Sequence, residues 1–320
     1  MRAALVDQIG AVPAPGEARE PERHGRALLE VLAAPVNPID LAVAGGTFYA
    51  DGPELPYVAG KEGVGRVLEA DHLSPGTRVY FTAPGGVGGA EGAMAERAAC
   101  DEAELVELPD GVDDTLAACF GIAGLAAWLP LEWRAELQEG ETVLVLGASG
   151  ALGTIAVQAA KLLGAGRVVA AARDADGLER ARRLGADATV DLGAADDLTT
   201  AFREAAEGDI DVTVDPLWGP PAVAAAGAMA RFGRLVQIGQ SAAAEATLPS
   251  SVVRGRGLAV LGHTSQLAPR EVRASAYRRM VEHAAAGRLS VELETYPLEE
   301  VSEMWARQAG FPYRKLLVVP

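Results

Sequence analysis

The sequence predicts an α/β protein that joins a parallel, doubly wound sheet to a separate β-rich unit, and three observations support this fold class. First, the apolar run at residues 143–146 leads into a glycine-rich turn and then into a helix with one apolar face. Second, from Asp114 onward helical periodicity alternates with short apolar strands. Third, residues 1–111 are short strand-like runs separated by proline-rich and glycine-rich turns, which predicts a compact β unit.

The length of 320 residues exceeds one comfortable hydrophobic core, so two domains are expected. We predict a β domain at residues 1–113, a nucleotide-binding domain at residues 114–268 and a return to the first domain at residues 269–320. A long helix is predicted at residues 269–286 and ends at Gly287, because glycine readily takes the left-handed cap. The final run, residues 315–319, is predicted to be a strand of the first domain.

The glycine-rich turn carries Gly147, Gly150 and Gly153 at the spacing G-x-x-G-x-x-G. Missing side chains permit a tight turn, close approach of the backbone to a pyrophosphate, and tight contact between helix and strand. The alternative is a tight structural turn without a ligand. With a strand before and a helix after, the pattern predicts a dinucleotide site whose contacts come from Gly147, Ala148, Ser149, Gly150, Ala151, Leu152 and Gly153.

The second strand of this domain, residues 167–172, ends where the adenosine ribose of a dinucleotide would bind. An acidic residue there would favour NADH, whereas this chain has Ala172 followed by Arg173. A guanidinium binds a 2'-phosphate through charge-assisted hydrogen bonds, so NADPH is the predicted cofactor. The alternatives are that Arg173 is an ordinary surface arginine and that Asp174 turns towards the ribose instead.

Composition excludes several classes of function. A formal charge of −16 would repel a phosphate backbone, so nucleic acid is not an expected partner. Hydrophobic residues make up 49% of the chain, yet no apolar run reaches the roughly 18 residues of a membrane span. The start of the chain does not have the pattern of a secretory signal, and Cys100 and Cys119 offer neither a disulfide framework nor a metal cluster. We therefore expect a cytoplasmic protein without a membrane partner.

Six segments, in the same order along the chain, resemble the medium-chain dehydrogenase/reductase superfamily. They are APVNPIDLAVAGG, VAGKEGVGRV, GTRVYF, VLVLGASGALG, RLVQIG and the closing RKLLVVP. The resemblance is strongest to the zinc-free quinone oxidoreductase branch, which includes the zeta-crystallins. It implies a chaperonin-like (GroES-like) β domain interrupted by a Rossmann domain.

The chain departs from the zinc alcohol dehydrogenases of this superfamily at the metal ligands. Asn37 stands where those enzymes have a catalytic cysteine, and Lys61 stands where they have a histidine. Glu62 alone cannot hold zinc, since a catalytic zinc needs about three protein ligands. The structural zinc lobe is also absent, and the four histidines are scattered. No metal is expected.

Without a Lewis acid, hydride transfer to an acceptor that is already electrophilic is the most accessible chemistry. The expected substrate is a small electrophilic molecule, either a quinone or an α,β-unsaturated carbonyl. Asn37 and Asp40 resemble a pair at the active-site rim of the quinone reductases, where the Asn37 amide would donate to a substrate oxygen. The alternative is that both residues cap the turn and helix that begin at Pro38.

Two further candidates carry proton donors. Tyr49 lies in the region where relatives have an active-site tyrosine, although Phe48 or Tyr57 are alternatives for that place. Lys61 is an unusual cation at its position and would stabilise an enolate. A surface salt bridge to Glu62 or Asp40 is the alternative for Lys61.

The resemblance also implies contacts with the nicotinamide half of the cofactor, from Ile238, Gly239, Gln240, His263 and Thr264. The resemblance further implies a homodimer that forms through the strand at residues 258–264, and His263 is alternatively a packed residue of that interface. Lys315 is predicted to reach the cofactor phosphates, with an ordinary edge-strand lysine as the alternative.

Three functions remain open at this point. The first is an NADPH-dependent reductase of quinones or enones. The second is a carbonyl or imine reductase of a biosynthetic pathway. The third is a non-catalytic NADPH-binding protein with a sensing or structural role.

Overall fold

The computed structural model describes residues 1–48 and 53–320, and the chain divides into two compact units. Unit 1 comprises Met1–Ile122 and Tyr277–Pro320, and unit 2 comprises Ala123–Ala276. Unit 2 is therefore an insertion in the chain of unit 1.

The described residues of unit 1 form two sheets. The smaller sheet consists of β1 (Arg2–Val6), β2 (Ala14–Glu17) and β4 (Tyr57–Val58), in the order β2-β1-β4. The larger sheet consists of β3 (Ala27–Pro35), β5 (Glu62–Glu69), β6 (Arg78–Thr82), β7 (Arg97–Cys100), β8 (Val106–Glu107), β15 (Leu293–Pro297) and β16 (Lys315–Val319). Its order is β15-β16-β3-β5-β6-β8, and β7 also pairs with β3. The C-terminal strand β16 thus lies inside this sheet.

The helices in the described part of unit 1 include α1 (Pro38–Ala44), α2 (Asp114–Ala118) and α10 (Val301–Ala309). Helix α1 follows β3 almost directly, because Pro38 has the backbone angle of a first helical residue. Helix α10 buries Val301, Met304 and Trp305 in the core of unit 1, as expected from their spacing on one helical face.

Unit 2 contains one six-stranded sheet in which all strand pairs are parallel. Its strands are β9 (Thr142–Leu146), β10 (Arg167–Ala172), β11 (Ala188–Asp191), β12 (Ile210–Asp215), β13 (Met229–Gln237) and β14 (Ala259–Gly262), in the order β11-β10-β9-β12-β13-β14. Strands β9 and β10 form near-continuous apolar runs, because helices cover both faces of such a sheet. The order is that of a Rossmann fold, and the predicted fold class is confirmed.

Further helices accompany this sheet or lead into and out of it. They are α3 (Ile122–Leu129), α4 (Ala151–Leu162), α5 (Ala175–Arg183), α6 (Leu198–Ala206), α7 (Gly219–Ala228), α8 (Ser250–Arg256) and α9 (Arg270–Ala285). The chain leaves unit 1 at the start of α3 and returns to it within α9. None of the helices in the described part of the chain is long and apolar enough to span a bilayer.

Candidate functional site

The glycine-rich turn of unit 2 connects β9 to α4. Gly147 has a φ of +65°, which suits glycine, and a Cβ atom added to Gly153 would lie 2.3 Å from the carbonyl oxygen of Gly147. Helix α4 begins after Gly150, and no described side chain caps its first amides. These amides and the positive end of the helix dipole are able to bind an anion such as a pyrophosphate.

Helix α5 packs closely against this turn. A Cβ atom added to Gly177 would lie 2.3 Å from the Cβ atom of Ser149, and the Arg180 guanidinium donates to the Ser149 carbonyl at 3.4 Å. Ser149 is 8% exposed. The contacts of Gly177 and Arg180 with the turn were not predicted from the sequence. The short connection between β10 and α5 does indicate that the start of α5 lies near this turn.

The end of β10 presents one basic and one acidic residue. Arg173 is exposed, whereas Asp174 caps α5 and its carboxylate accepts the Gly177 amide at 2.6 Å. One oxygen of Asp174 therefore accepts the helix-capping hydrogen bond, while the Arg173 side chain is exposed to solvent. The alternative in which Asp174 turns towards a ribose has less support from this geometry.

The carboxyl ends of β12, β13 and β14 lie side by side. The Ile238 amide donates to the Asp215 carbonyl at 2.9 Å, and a Cβ atom added to Gly239 would lie 2.7 Å from the Pro216 carbonyl oxygen. Gln240 and Thr264 are exposed, while His263 is 4% exposed. These residues thus share one edge of the sheet of unit 2, where ligands of such sheets bind.

In unit 1, Asn37 and Asp40 are both buried at the start of α1. The Asp40 carboxylate accepts the Asn37 backbone amide at 2.7 Å, which is the capping role considered for it. The Asn37 side chain also has partners outside the helix. Its amide nitrogen donates to Glu62 at 2.8 Å, and its amide oxygen accepts from Lys315.

Glu62 is the centre of a buried polar network that the sequence did not predict. Besides Asn37, its carboxylate accepts the hydroxyl of Tyr80 at 2.9 Å and the backbone amide of Ile122 at 2.6 Å. Glu62 is fully buried, and burial raises its pKa while Lys315 and the three donors oppose that shift. Sequence reasoning considered Glu62 only as a zinc ligand or as a salt-bridge partner of Lys61.

The chain leaves unit 1 after Ile122 and returns to it at Tyr277, and residues at both places pack against Glu62 or Tyr80. A Cβ atom added to Gly121 would lie 1.8 Å from a Glu62 carboxylate oxygen, so the exit from unit 1 packs tightly against that side chain. At the return, the ring of Tyr277 stacks on Tyr80 with centroids 4.3 Å apart, and its hydroxyl donates to the Ala117 carbonyl at 3.0 Å.

Lys315 is 3% exposed and its ammonium donates to the Val36 carbonyl at 2.9 Å as well as to Asn37. Burial lowers its pKa, and the nearby Glu62 opposes this shift. The alternative of an edge-strand lysine is wrong, because β16 pairs with β15 on one side and with β3 on the other. The contact of Lys315 with cofactor phosphates stays a prediction.

Lys61 is half-buried and its ammonium donates to the Pro84 carbonyl. Among the described residues it forms no salt bridge with Glu62 or Asp40, so that alternative is wrong. Burial lowers the pKa of Lys61, and burial raises the pKa of Asp40 to about 6. Tyr49 lies outside the described residues.

The side chains at the positions of the zinc ligands, Asn37 and Lys61, do not suit a zinc ion. Asn37 and Lys61 occupy two of the ligand positions of the zinc enzymes, and the structure engages both in other hydrogen bonds. Within residues 1–48 and 53–320, no cluster of three or more histidine, cysteine or acidic side chains has a geometry for a metal ion.

Comparison with known proteins finds two family models along the chain. Residues 23–110 match the alcohol dehydrogenase GroES-like domain, and residues 151–282 match the zinc-binding dehydrogenase family.

Similar proteins include quinone oxidoreductase-like protein 2 from Bos taurus, 27% identical over 80% of this chain and 74% of that protein. Its homolog from Nematostella vectensis is 37% identical over 45% of this chain, and the match spans 39% of that relative's length. Among solved structures, the quinone oxidoreductase from Thermus thermophilus, also determined as a complex with NADPH, superposes with a TM-score of 0.82. It is 28% identical, and the match covers 100% of both chains.

Proposed function

Because the chain belongs to the medium-chain dehydrogenase/reductase superfamily, in its quinone oxidoreductase branch, we propose that it is an NADPH-dependent, zinc-independent reductase of quinones or α,β-unsaturated carbonyls. The observation that carries this proposal is the turn between β9 and α4. Its uncapped amides form a cradle for a pyrophosphate, and Gly153 lets the helix approach the strand closely enough for the backbone to reach that group.

NADPH is favoured over NADH because Arg173 is exposed and because Asp174 already caps helix α5. A dinucleotide in this site would place its pyrophosphate on the turn at residues 147–153 and its adenosine 2'-phosphate near the end of β10. The guanidinium of Arg173 then supplies positive charge to the 2'-phosphate, while Asp174 has already bound the first turn of α5. Ile238, Gly239, Gln240 and Thr264 lie at the sheet edge proposed for the nicotinamide half.

Lys61 supplies the positive charge that a zinc ion would otherwise provide to the substrate oxygen. When bound, NADPH supplies a hydride to an electrophilic carbon, and the substrate oxygen gains negative charge. We assign Lys61 to that oxygen, because its ammonium is half-buried and its lowered pKa makes it a stronger proton donor than an ordinary lysine. Asp40 and Lys61 each shift the pKa of the other, so Asp40 helps to keep Lys61 charged.

Asn37 has a positioning role in this proposal, since its amide binds Glu62 and Lys315 and the residue is 1% exposed. Tyr49 remains a candidate proton donor.

The strand β14 is an edge strand of unit 2, and the exposed Val260 lies on it. A homodimer that pairs two copies of β14 would cover this edge, and light scattering after size exclusion would test that assembly.

The test is NADPH oxidation by the purified protein, followed by absorbance, with NADH as the comparison and with quinones, enones, aldehydes and imines as acceptors. We expect turnover of a quinone or an enone with NADPH that is insensitive to EDTA. Inhibition by EDTA would contradict zinc independence. Turnover of aldehydes or imines alone would favour a carbonyl or imine reductase, and binding without turnover would favour a sensing or structural protein.

A further inference from the structure

Two buried side chains of unit 1 each have a polar atom that no described residue binds. The Oδ2 atom of Asp40 accepts the Asn37 amide, whereas its Oδ1 atom has no hydrogen-bond partner among the described residues. The hydroxyl of Tyr57 has no partner there either, and Asp40 and Tyr57 are only 3% and 2% exposed. Buried polar atoms of folded proteins nearly always bind another protein group or an ordered water molecule, because an unpaired one loses its hydration without compensation.

The ring of Tyr57 is held firmly in the core of unit 1. Tyr57 lies on β4, where it pairs with Val6 of β1. A Cβ atom added to Gly86 would lie 2.8 Å from the Cε2 atom of this ring, so the loop that follows β6 packs directly against it. The same loop meets Lys61, because a Cβ atom added to Gly85 would lie 2.8 Å from the Lys61 Cγ atom. Tyr57 and Lys61 therefore contact consecutive residues of one loop.

Asp40 lies near both of these side chains. Burial raises the pKa of Tyr57 to about 12, and the charge of Asp40 contributes to this shift. The same charge opposes the lowering of the Lys61 pKa by burial. Asp40 and Tyr57 are thus neighbours, yet their two unpaired atoms do not form a hydrogen bond with each other. Such a separation suits a small group that bridges them.

The chemistry of the two atoms limits what this bridging group is. An ionised carboxylate oxygen only accepts hydrogen bonds, so the group donates to Asp40, while a tyrosine hydroxyl is able to donate to it. Both atoms are hidden from solvent beside an apolar core, which favours a small uncharged group. Lys61 and Lys315 already place positive charge near Asp40, so a further cation would be repelled. A water molecule meets all of these requirements.

We propose that one buried water molecule bridges Asp40 and Tyr57, donating to the Oδ1 atom of the carboxylate and accepting from the hydroxyl. The water links the start of α1 to β4 and fixes the free oxygen of a carboxylate that lies near Lys61. This inference goes beyond the proposed function and does not depend on it, because its test needs neither cofactor nor substrate.

The first measurement is urea unfolding of Tyr57→Phe above neutral pH, where Asp40, with a pKa of about 6, is ionised. Phenylalanine keeps the ring against Gly86 and removes only the hydroxyl. We expect Y57F to raise the equilibrium constant for unfolding about tenfold, because a satisfied buried hydrogen bond is lost. Tyr313→Phe, at a tyrosine of unit 1 that is 46% exposed, is the matched control and should change this constant less than about twofold. A Y57F variant at least as stable as the wild type would overturn the proposal.

Asp40→Asn tests whether Asp40 is the second partner of the water. Asparagine can still accept the Asn37 amide, but it presents a neutral group to the bridging water. Since hydrogen bonds to a charged group are roughly twice as strong as neutral ones, the effect of Y57F on the unfolding constant should be at least about threefold smaller in the D40N background. An equal effect of Y57F in both backgrounds would assign the hydroxyl to another partner and would overturn the proposal.

A high-resolution crystal structure of the wild type locates the bridging group directly. We expect density for one water molecule within hydrogen-bond distance of both the Asp40 Oδ1 atom and the Tyr57 hydroxyl. A direct hydrogen bond between the two side chains, or bonds from both atoms to other protein groups, would overturn the proposal. A protein without reductase activity would leave these three measurements unaffected, so failure of the proposed function and failure of this inference are distinguishable.

Discussion

The Asn37 amide donates a 2.8 Å hydrogen bond to the Glu62 carboxylate at a place where both side chains are at most 1% exposed. The oxygen of the same amide accepts from the Lys315 ammonium, so Asn37 bridges a buried anion and a buried cation. The neutral Asn37 amide therefore links the Glu62 carboxylate to the Lys315 ammonium: its NH₂ group binds the carboxylate and its oxygen binds the ammonium. This arrangement fixes the orientation of Asn37 and joins β5, β16 and the start of α1.

Glu62→Gln should lower the free energy of unfolding by about 3–5 kcal/mol, because the substitution leaves the Lys315 ammonium buried without its anion. Urea unfolding measures this change. Glu30→Gln is the matched control, since Glu30 pairs with Arg66 at 3.2 Å on the surface of the same sheet and should cost less than about 1 kcal/mol. Equal decreases in the free energy of unfolding of E62Q and E30Q would show that the buried Glu62 and Lys315 charges contribute no more to stability than a surface ion pair.

Asp40 should make the stability depend on pH. Its pKa is raised from 3.8 to about 6, chiefly by burial, so the folded state binds this proton more tightly than the unfolded chain does. The stability that the protonated carboxyl contributes is fully present below about pH 3.8 and is lost as the pH rises through about 6. Asp40→Asn keeps an acceptor for the Asn37 amide and lacks this titration.

We therefore expect the stability of D40N relative to the wild type to increase by about 2–3 kcal/mol between about pH 4 and about pH 7. Urea unfolding across that range measures it, and Asp7→Asn, at an exposed carboxylate of unit 1, is the control. A difference that stays constant across the pH range would contradict the raised pKa of Asp40.

The glycine-rich turn and the parallel sheet of unit 2 were predictable from the sequence, because their causes are local. Three glycines at fixed spacing, an apolar strand before them and an amphipathic helix after them specify the turn. The alternation of strands and helices then predicts a parallel sheet.

The network around Glu62 was not predictable in the same way, because it joins residues from positions 37, 62, 80, 122 and 315. No local pattern marks a carboxylate that will be buried by tertiary contacts. The same reason explains Lys315: strand residues at the end of a chain indicate an edge, and only the pairing of β16 with both β15 and β3 shows an interior strand.

The glycines of the turn should separate folding from binding. Gly153→Ala should destabilise the fold by at least about 3 kcal/mol, because the added Cβ would lie 2.3 Å from the Gly147 carbonyl oxygen. Gly150→Ala should change stability by less than about 1 kcal/mol, since its nearest contact would be at 3.7 Å, and should still weaken cofactor binding about tenfold. Urea unfolding and NADPH titration measure the two effects, and normal NADPH affinity in G150A would contradict the pyrophosphate cradle.

Arg173→Ala should raise the KM for NADPH about tenfold or more and leave the KM for NADH unchanged, because only NADPH carries the 2'-phosphate. Steady-state kinetics with both cofactors measure the change. Arg183→Ala, at an exposed arginine on α5, is the control and should leave both values unchanged. Equal changes for the two cofactors in R173A would assign Arg173 to the fold and not to the phosphate.

Lys61→Met should lower kcat about 10-fold to 100-fold with little change in the KM for NADPH, because the substitution keeps the apolar stem and removes the cation assigned to the substrate oxygen. The wild-type kcat should fall at high pH as Lys61 loses its proton, at a pH below the ordinary range for lysine because burial lowers its pKa. Steady-state kinetics across pH measure both effects. Lys161→Met is the matched control, since Lys161 pairs with Asp187 in unit 2 and should leave kcat and its pH profile unchanged. A K61M variant that retains both the rate and the pH profile would remove Lys61 from the reaction and leave Tyr49 as the candidate proton donor.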